Sequence, residues 1–379
     1  MEFNCSKEDL LYGVQVVQRA VSNKNTMPIL SGIFLSCENN KLILRSTDLE
    51  LGIECIIPVQ VLSEGSIVLP SKYFSELVRR LPNAPINFKL NDEGNSVTIK
   101  YNSSQLTMNG LDPEEFPSFP SVNTEFALTV DPNILKKANK QVTIATALDD
   151  SRPIFTGVLM DFTEDNNLTM VTTDTHRLAL KDIKVNMNGQ ENTLEQRVNI
   201  IVPARILSEV SKLVNEDDVL TVEIGDSNQI IFRFDKICVH SRLIEGQFPN
   251  YKQVIPGNFK TKVTIETKKF MESVERASLI SFDDDMKKKS NNIKLSINSG
   301  KLIINSHSSE IGHIHEEIIV DMEGDELDIS FNAKYLLDVL KVIDEEEINM
   351  GLTGSLSPCI IQPAKQKNFL YLILPVRSA

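Results

Sequence analysis

The chain has 379 residues, which is enough for two or three domains of ordinary size. Hydrophobic residues make up 41% and charged residues 24%, so the chain can bury real cores, and its longest apolar runs are only strand-sized, which argues against a membrane span. The formal net charge of −13 argues against a nucleic-acid-binding protein unless basic side chains are concentrated on one surface.

The N-terminus and the cysteines indicate a cytoplasmic protein. The opening residues Met1-Glu2-Phe3-Asn4 show neither a basic nor an apolar signal region, so we expect no secretory signal. The 5 cysteines are odd in number, scattered and never spaced as CxxC. This usage favours free thiols in a reducing compartment.

Taken in chain order, the predicted elements form three similar sets, each with a helix, a strand and a second helix. The first set comprises Lys7–Val21, Lys41–Arg45 and Leu69–Leu81. The second comprises Asn133–Ala145, Leu168–Thr172 and Val202–Val214. The third comprises Lys268–Ile280, Lys301–Asn305 and Phe331–Ile343. Two helices and several strands per set predict α+β domains with antiparallel sheets and helices packed on one face.

Short motifs repeat with the same period. The second helices open with Pro70, Pro203 and Asn332, so consecutive copies are 203 − 70 = 133 and 332 − 203 = 129 residues apart. Thr47-Asp48 recurs as Thr173-Asp174, and Glu115-Phe116-Pro117 recurs as Gln247-Phe248-Pro249. Ordered landmarks at one period predict three tandem homologous domains. We expect them at residues 1–122, 123–252 and 253–379, with linkers near Phe119–Thr124 and Pro249–Asn258.

The second helix of each set carries two cations seven residues apart, which places both on one helical face. They are Lys72 and Arg79, Arg205 and Lys212, and Lys334 and Lys341. Basic side chains without aromatic partners suit contacts with phosphate that read no sequence. Each helix also holds an acid, Glu76, Glu209 or Asp338, and such pairs are common on solvated helices. The spacing alone leaves both interpretations open.

Known catalytic and metal-binding motifs are absent from the sequence. There is no GxGxxG, GxxxxGK[ST], GxSxG or HExxH run. His313 and His315 could share a strand face but make only half a metal site. Asp174-Thr175-His176-Arg177 resembles an acid–base cluster without a nucleophile. The acidic and basic run 283–289 favours a solvated loop, with contact to a polyanion as the alternative.

Several longer runs together resemble one family, the bacterial β sliding clamp, which is the β subunit of DNA polymerase III. These runs are Thr26–Leu30 (TMPIL), Thr173–Leu178 (TDTHRL), Glu245–Tyr251 (EGQFPNY) and Leu374–Arg377 (LPVR). The resemblance covers essentially the whole chain. It implies a non-enzymatic processivity factor that forms a head-to-tail homodimeric ring, with helices lining the hole and sheets outside. Double-stranded DNA, a clamp loader, and replicative and repair polymerases are the implied partners, and no cofactor or metal is expected.

The resemblance also implies residues for three surfaces. The partner-peptide pocket would use Arg152, Phe155, Thr173, Thr175, His176, Arg177, Leu178, Pro249, Val254, Leu372, Ile373, Leu374, Pro375, Val376 and Arg377. The DNA-facing cations would be Lys24, Lys72, Arg79, Arg205, Lys212, Lys334 and Lys341. The dimer interface would join Leu106 and Met108 to Leu279 and Ile280.

Two alternatives accompany these expectations. The C-terminal run could be a plain final strand, since Tyr371, Ile373 and Pro375 alternate with Leu372, Leu374 and Val376. One face of that strand could enter the core while the other stays open to a ligand. For the protein as a whole, the competing interpretation is a repeat-built, β-rich enzyme or ligand-binding protein of unknown substrate.

Overall fold

The computed structural model describes residues 1–22, 27–91, 95–119, 124–149, 151–163, 166–187, 197–225, 228–281 and 291–376. Contacts divide these residues into two compact units. The first contains the described residues up to Pro132, the strand Asn186–Met187, and Arg205–Leu243. The second contains the described residues of 133–185, 197–204 and 244–376.

The described residues form six α-helices and 27 strands. The helices are α1 (Lys7–Val17), α2 (Ser71–Arg80), α3 (Pro132–Val142), α4 (Ala204–Leu213), α5 (Thr267–Ile280) and α6 (Ala333–Leu340). The strands are β1 (Glu2–Cys5), β2 (Gly32–Glu38), β3 (Lys41–Thr47), β4 (Leu51–Pro58), β5 (Gln60–Ser63), β6 (Gly65–Pro70), β7 (Ile86–Leu90), β8 (Ser96–Tyr101), β9 (Ser104–Asn109), β10 (Thr124–Val130), β11 (Gly157–Thr163), β12 (Asn167–Thr173), β13 (Arg177–Lys184), β14 (Asn186–Met187), β15 (Val198–Pro203), β16 (Leu220–Gly225), β17 (Gln229–Phe234), β18 (Ile237–Arg242), β19 (Thr261–Glu266), β20 (Asn292–Asn298), β21 (Lys301–Ser308), β22 (Gly312–Ile319), β23 (Asp321–Gly324), β24 (Leu327–Asn332), β25 (Glu347–Leu352), β26 (Cys359–Pro363) and β27 (Phe369–Ile373).

The helices begin where local chemistry favours a start. The Ser6 hydroxyl accepts a hydrogen bond from the Asp9 amide at 3.0 Å, and the Asn332 side chain accepts one from the Lys334 amide at 2.9 Å. Helix α3 begins with Pro132, whose missing N–H costs nothing at that position. All six predicted helices are present. Helix α1 ends at Val17 and continues only as a 3-10 turn at Gln18–Ala20, so the prediction of one helix to Val21 was too long.

The first unit contains a five-stranded and a nine-stranded antiparallel sheet. Their orders are β5-β1-β7-β8-β9 and β14-β10-β16-β17-β18-β4-β3-β2-β6. Strand β9 is at the edge of the smaller sheet, in which Phe3 and Phe88 stack with ring centroids 4.8 Å apart beneath Phe74 of α2. The larger sheet joins distant parts of the chain, because β18 pairs with β4 from Ile237↔Cys55 to Ser241↔Leu51.

The second unit repeats this plan with a nine-stranded and a four-stranded antiparallel sheet. Their orders are β15-β11-β12-β13-β27-β26-β25-β19-β23 and β22-β21-β20-β24. Here β13 pairs with β27 from Arg177↔Ile373 to Lys181↔Phe369. Helices α5 and α6 pack together, and α5 also covers β21 and β22. Each large sheet therefore extends across a boundary that the repeat had placed between domains.

No helix in the described ranges is both long and apolar enough to cross a membrane. All five cysteines are free thiols, and all except Cys5 are buried. Burial raises the pKa of the Cys55 and Cys238 thiols to about 12, so neither is a thiolate at neutral pH.

Candidate functional site

A tight turn at Thr173–Arg177 organises the predicted pocket. The Thr173 hydroxyl donates to the Arg177 carbonyl at 2.7 Å and accepts from the Thr175 amide at 3.1 Å. The Asp174 carboxylate accepts from the His176 and Arg177 amides at 2.9 and 3.0 Å. These bonds hold Thr175 at φ 77°, in the left-handed region that penalises a β-branched residue.

The first unit contains the same turn at its repeat position. The Thr47 hydroxyl donates to the Leu51 carbonyl and accepts from the Leu49 amide, each at 2.9 Å. The Asp48 carboxylate accepts from the Glu50 and Leu51 amides at 3.1 and 2.8 Å, and Leu49 has φ 76°. Two turns with matching hydrogen bonds and matching strain confirm that the Thr-Asp landmarks are repeats of one structural unit.

The Arg177 side chain is buried, with a fractional exposure of 6%, and is held from several sides. Its guanidinium pairs with Asp174 at 2.9 Å and with Asp338 of α6 at 2.5 Å. It also lies over the Tyr335 ring, 4.2 Å from the centroid. Two carboxylates thus neutralise this cation within the chain, and its contact with a partner peptide stays a prediction.

A cavity of about 510 Å³ opens beside this turn. Five of the predicted pocket residues line it: Arg152, Phe155, Thr175, His176 and Arg177. The sequence did not assign the remaining lining residues to the pocket: Thr146, Ala147, Leu148, Asp149, Ser151, Asp174, Asn332, Lys334 and Tyr335. Asn332 was predicted only as a helix-start residue, and no local pattern showed that α6 begins beside this turn.

The C-terminal residues of the predicted pocket divide into buried and accessible ones. Leu178 and Leu372 are cross-strand neighbours in an apolar cluster, with fractional exposures of 3% and 4%. Ile373 has no exposed surface, so its predicted place in the pocket is corrected to the core. Leu374 is 37% exposed, and its amide donates to the His176 carbonyl at 2.9 Å. Strand β27 therefore buries side chains on both of its faces, and the accessible part of the C-terminal run begins at Leu374, where β27 ends.

Residues 249–254 pack against the same cluster. Tyr251 is buried among Leu178 and Leu372, while Pro249 and Val254 on either side of it are exposed. Thr173 is half-buried in the turn, and Pro375 and Val376 are half-buried beyond β27. Arg377 lies outside the described residues. The structure thus brings the three predicted stretches to one apolar cluster and the turn beside it, all within the second unit.

The predicted cations on α2, α4 and α6, with Lys341 as the residue that caps α6, are all exposed, but most have acidic neighbours. Arg79 pairs with Glu76 at 2.7 Å and Lys212 with Glu209 at 2.8 Å, as ordinary solvated helices do. The other ion pairs are Arg205 with Asp48 at 2.8 Å and Lys341 with Glu275 at 3.6 Å. Lys72 and Lys334 form no ion pair with the described residues. Lys24 and the run 283–289 lie outside them.

The predicted interface residues lie on accessible edges. Leu106 and Met108 are half-buried on the edge strand β9, where they share a face. Leu279 is 66% exposed near the end of α5, and Ile280 beside it is half-buried. Strand β22, at an edge of the four-stranded sheet, packs against α5. Among the described residues, each unit therefore presents a strand edge without a paired neighbour and with apolar side chains nearby.

His313 and His315 share a face of β22, as the sequence predicted. His315 Nδ1 lies 2.9 Å from the Asn305 amide oxygen, and its Nε2 lies 3.3 Å from Glu317. The described residues contain no group of three or more His, Cys, Asp or Glu side chains able to hold a metal ion.

Family models match the chain along nearly its whole length. The DNA polymerase III beta subunit N-terminal, central and C-terminal domain models match residues 1–120, 129–250 and 252–377. The chain belongs to the bacterial DNA polymerase III beta subunit family. The predicted α+β fold of three tandem clamp domains is thereby confirmed.

Individual relatives agree over full length. The beta sliding clamps of Halalkalibacterium halodurans and Bacillus subtilis are 35% and 33% identical, with 100% of both chains covered in each case. The crystal structure of the DNA polymerase sliding clamp from Bacillus subtilis matches with a TM-score of 0.93 at 32% identity, again over 100% of both chains. The DNA polymerase III subunit beta from Pseudomonas aeruginosa gives 0.92 at 26% with the same coverage. The function is that of a DNA sliding clamp, and the chain is not an enzyme.

Proposed function

We propose that two copies of this chain close a head-to-tail ring around double-stranded DNA, with the repeated helices lining the hole. In the cytoplasm a clamp loader would place the ring, and replicative and repair polymerases would then tether to it. The observation that carries this proposal is the same pair of exposed cations on α2, α4 and α6 of an acidic chain. A polymerase tethered to the ring rebinds its DNA as an intramolecular event, so the effective concentration of polymerase at the DNA rises without a tight contact between clamp and DNA.

The ion pairs on these helices support sliding over tight binding. A cation already paired with Glu76, Glu209, Asp48 or Glu275 gains less from a DNA phosphate than a free one does. Each phosphate neutralised contributes a slope of about −0.9 to the dependence of log affinity on log salt. We therefore expect weak, sequence-independent and strongly salt-dependent affinity for open DNA.

Retention on DNA of different topology tests the ring. Clamps loaded on a nicked circle should remain far longer than clamps on the same DNA made linear, because only a linear molecule has ends. Blocking both ends of the linear DNA with a bound protein should restore retention and serves as the control. Equal lifetimes on the circle and on the open linear molecule would refute topological binding.

We infer that the cleft beside the Thr173–Arg177 turn takes the peptide motif of these partners. Four apolar side chains with exposed surface flank the buried cluster and the turn: Leu148, Phe155, Val254 and Leu374. Polar groups of His176, Asn332 and Tyr335 line the cavity beside them. A short peptide with a glutamine and a Leu- or Phe-type hydrophobic end suits such a mixed surface.

A point substitution tests the cleft more cleanly than a truncation. Removing 374–379 also removes the hydrogen bonds that the backbone amides of Leu374 and Val376 donate to the carbonyls of His176 and Ser330. In Leu374→Asp a charge replaces an exposed apolar contact, and a labelled motif peptide should bind at least about tenfold more weakly, about 1.4 kcal/mol. Leu356→Asp is the matched control: Leu356 is also exposed, at 72%, but lies outside the three predicted stretches, whereas the Leu374 amide bonds to His176 beside the cavity. Equal affinity in both variants would show that the pocket is misplaced.

We propose that the dimer forms between the β9 edge of one chain and the α5 end of the other. Pairing strand edges across chains would satisfy backbone groups that are otherwise open. Charged substitutions at Leu279 and Ile280 should give monomers, whereas Val219→Glu, at another exposed position, should not. Sedimentation that shows an unchanged dimer in the Leu279 and Ile280 variant would contradict this placement.

A further inference from the structure

A second cavity, of about 490 Å³, lies in the second unit apart from the partner cleft. Its walls come from α3, the ends of β12 and β13, and the turn that precedes β27. They comprise Ile134, Lys137, Asn167, Lys181, Asp182, Ile183, Lys184, Gln366 and Asn368. The lining thus combines three lysines and three amide side chains with one carboxylate and two isoleucines.

Lys181 is the unusual member of this set. It has a fractional exposure of 4%, and its Nζ donates to the Asn368 amide oxygen at 3.0 Å. Among the residues that the structure describes, no carboxylate forms an ion pair with it. A buried ammonium ordinarily has a charged partner, because a neutral acceptor does not recover the lost hydration.

The surrounding charges do not supply that partner. Burial lowers the pKa of Lys181, and the nearby ammonium of Lys137 lowers it further. Asp182 and Glu345 act in the opposite direction and offset only part of this effect. The Asp182 carboxylate accepts from the Thr169 hydroxyl at 2.6 Å, and Lys137 itself pairs with Asp344 at 2.9 Å. Among the described residues, the Lys181 ammonium therefore has the Asn368 amide oxygen as its hydrogen-bond partner and no carboxylate at ion-pair distance.

The wall of the cavity is held in place independently of any ligand. The Glu345 carboxylate accepts from the Lys365 and Gln366 amides at 2.8 and 3.2 Å. The Asp182 amide donates to the Asn368 carbonyl at 2.9 Å, which fixes the turn against β13. A preformed wall lowers the cost of ordering a site when a ligand binds.

We propose that this cavity binds a phosphoryl group, with Lys181 as the buried counterion. Lysine binds phosphate as a point charge, and a tetrahedral anion can accept hydrogen bonds from several donors at once. Lys137 and the amide side chains of Asn167 and Gln366 are further donors among the lining residues. Ile134 and Ile183 would contact the organic part of a phosphate ester. A free nucleotide and the backbone of nucleic acid share this chemistry.

Equilibrium dialysis of the full chain with labelled adenosine 5′-monophosphate tests the site. We expect one saturable site per chain that inorganic phosphate displaces. In Lys181→Met, which keeps an unbranched apolar side chain and removes the ammonium, affinity should fall at least about tenfold. Lys294→Met is the control: this exposed lysine pairs with Asp328 and does not line the cavity, so binding should not change.

A second variant separates loss of binding from loss of fold. Asn368→Asp places a carboxylate beside Lys181, so the chain supplies its own counterion. This variant should keep its thermal stability but no longer bind the phosphoryl group. No saturable binding by the wild-type chain, binding unchanged in Lys181→Met and Asn368→Asp, or equal displacement by acetate would each overturn the proposal. If a short DNA duplex at equal phosphate concentration displaces the labelled nucleotide, the phosphoryl group that binds here belongs to a nucleic-acid backbone. If the duplex does not displace it, the ligand is a free nucleotide.

Discussion

Replacing Thr175 by glycine should stabilise this protein, although glycine usually destabilises. Thr175 has φ 77°, which costs a side chain with a Cβ about 1–2 kcal/mol. Glycine removes that cost but loses about 0.4–1 kcal/mol through the greater freedom of the unfolded chain. The Thr173 and Asp174 side chains, which hold the turn, remain in place. The net expectation is a gain of about 0.5–1 kcal/mol.

Urea unfolding followed by circular dichroism measures this change as a shift of the midpoint at constant slope. Leu49→Gly is the internal replicate, because Leu49 has φ 76° in the equivalent turn and is half exposed. Asn39→Gly is the control: Asn39 has φ 49°, which asparagine tolerates, so its replacement should change little. If Thr175→Gly and Leu49→Gly both lower the urea midpoint, backbone strain in these two turns does not limit the stability of the protein.

The remaining predictions concern two buried charge-bearing groups. Asp338→Asn should lower the free energy of unfolding by about 1–3 kcal/mol. This is less than the loss of a fully buried pair, because Arg177 keeps its pair with Asp174 and because Asp338 is itself 28% exposed. Thermal unfolding measures the change, with Asp328→Asn as the control because the Asp328 side chain is 60% exposed. Burial, reinforced by the Arg233 cation, lowers the pKa of His240 to about 4. The unfolded chain takes up this proton near pH 6.5 and the folded chain only near pH 4, so stability should fall as the pH drops between these values, by at most about 3 kcal/mol. His240 pairs with Gly52 where Leu372 pairs with Leu178 in the second unit, so His240→Leu introduces the residue found at the equivalent position. This variant should flatten the profile of stability against pH between pH 6.5 and 4, and an unchanged profile would show that His240 is not the titrating group.

The repeat, the helices and the family could be predicted from the sequence because each depends on local patterns. The Thr-Asp turns are an example: Thr47 and Thr173 each bond within four residues of their own position, so similar sequence gives a similar turn. The paired cations on α2, α4 and α6 were visible for the same reason, since helical spacing alone places them on one face. Their acidic partners within the helix, such as Glu76 and Glu209, follow from the same spacing.

Tertiary structure decided what those local pieces meet. Arg177 and Asp338 are 161 positions apart, and no pattern in either segment shows that the cation is neutralised. Leu51 pairs with Ser241, and Arg177 pairs with Ile373, so strand pairing carried each large sheet across an expected domain boundary and buried Ile373. The sequence around Lys181 and Asp182 is typical of an exposed strand end, yet folding buries Lys181, whose ammonium donates to the Asn368 amide oxygen and has no carboxylate partner among the described residues. Burial and charge compensation depend on neighbours brought together from distant sequence, so the fold alone fixes them.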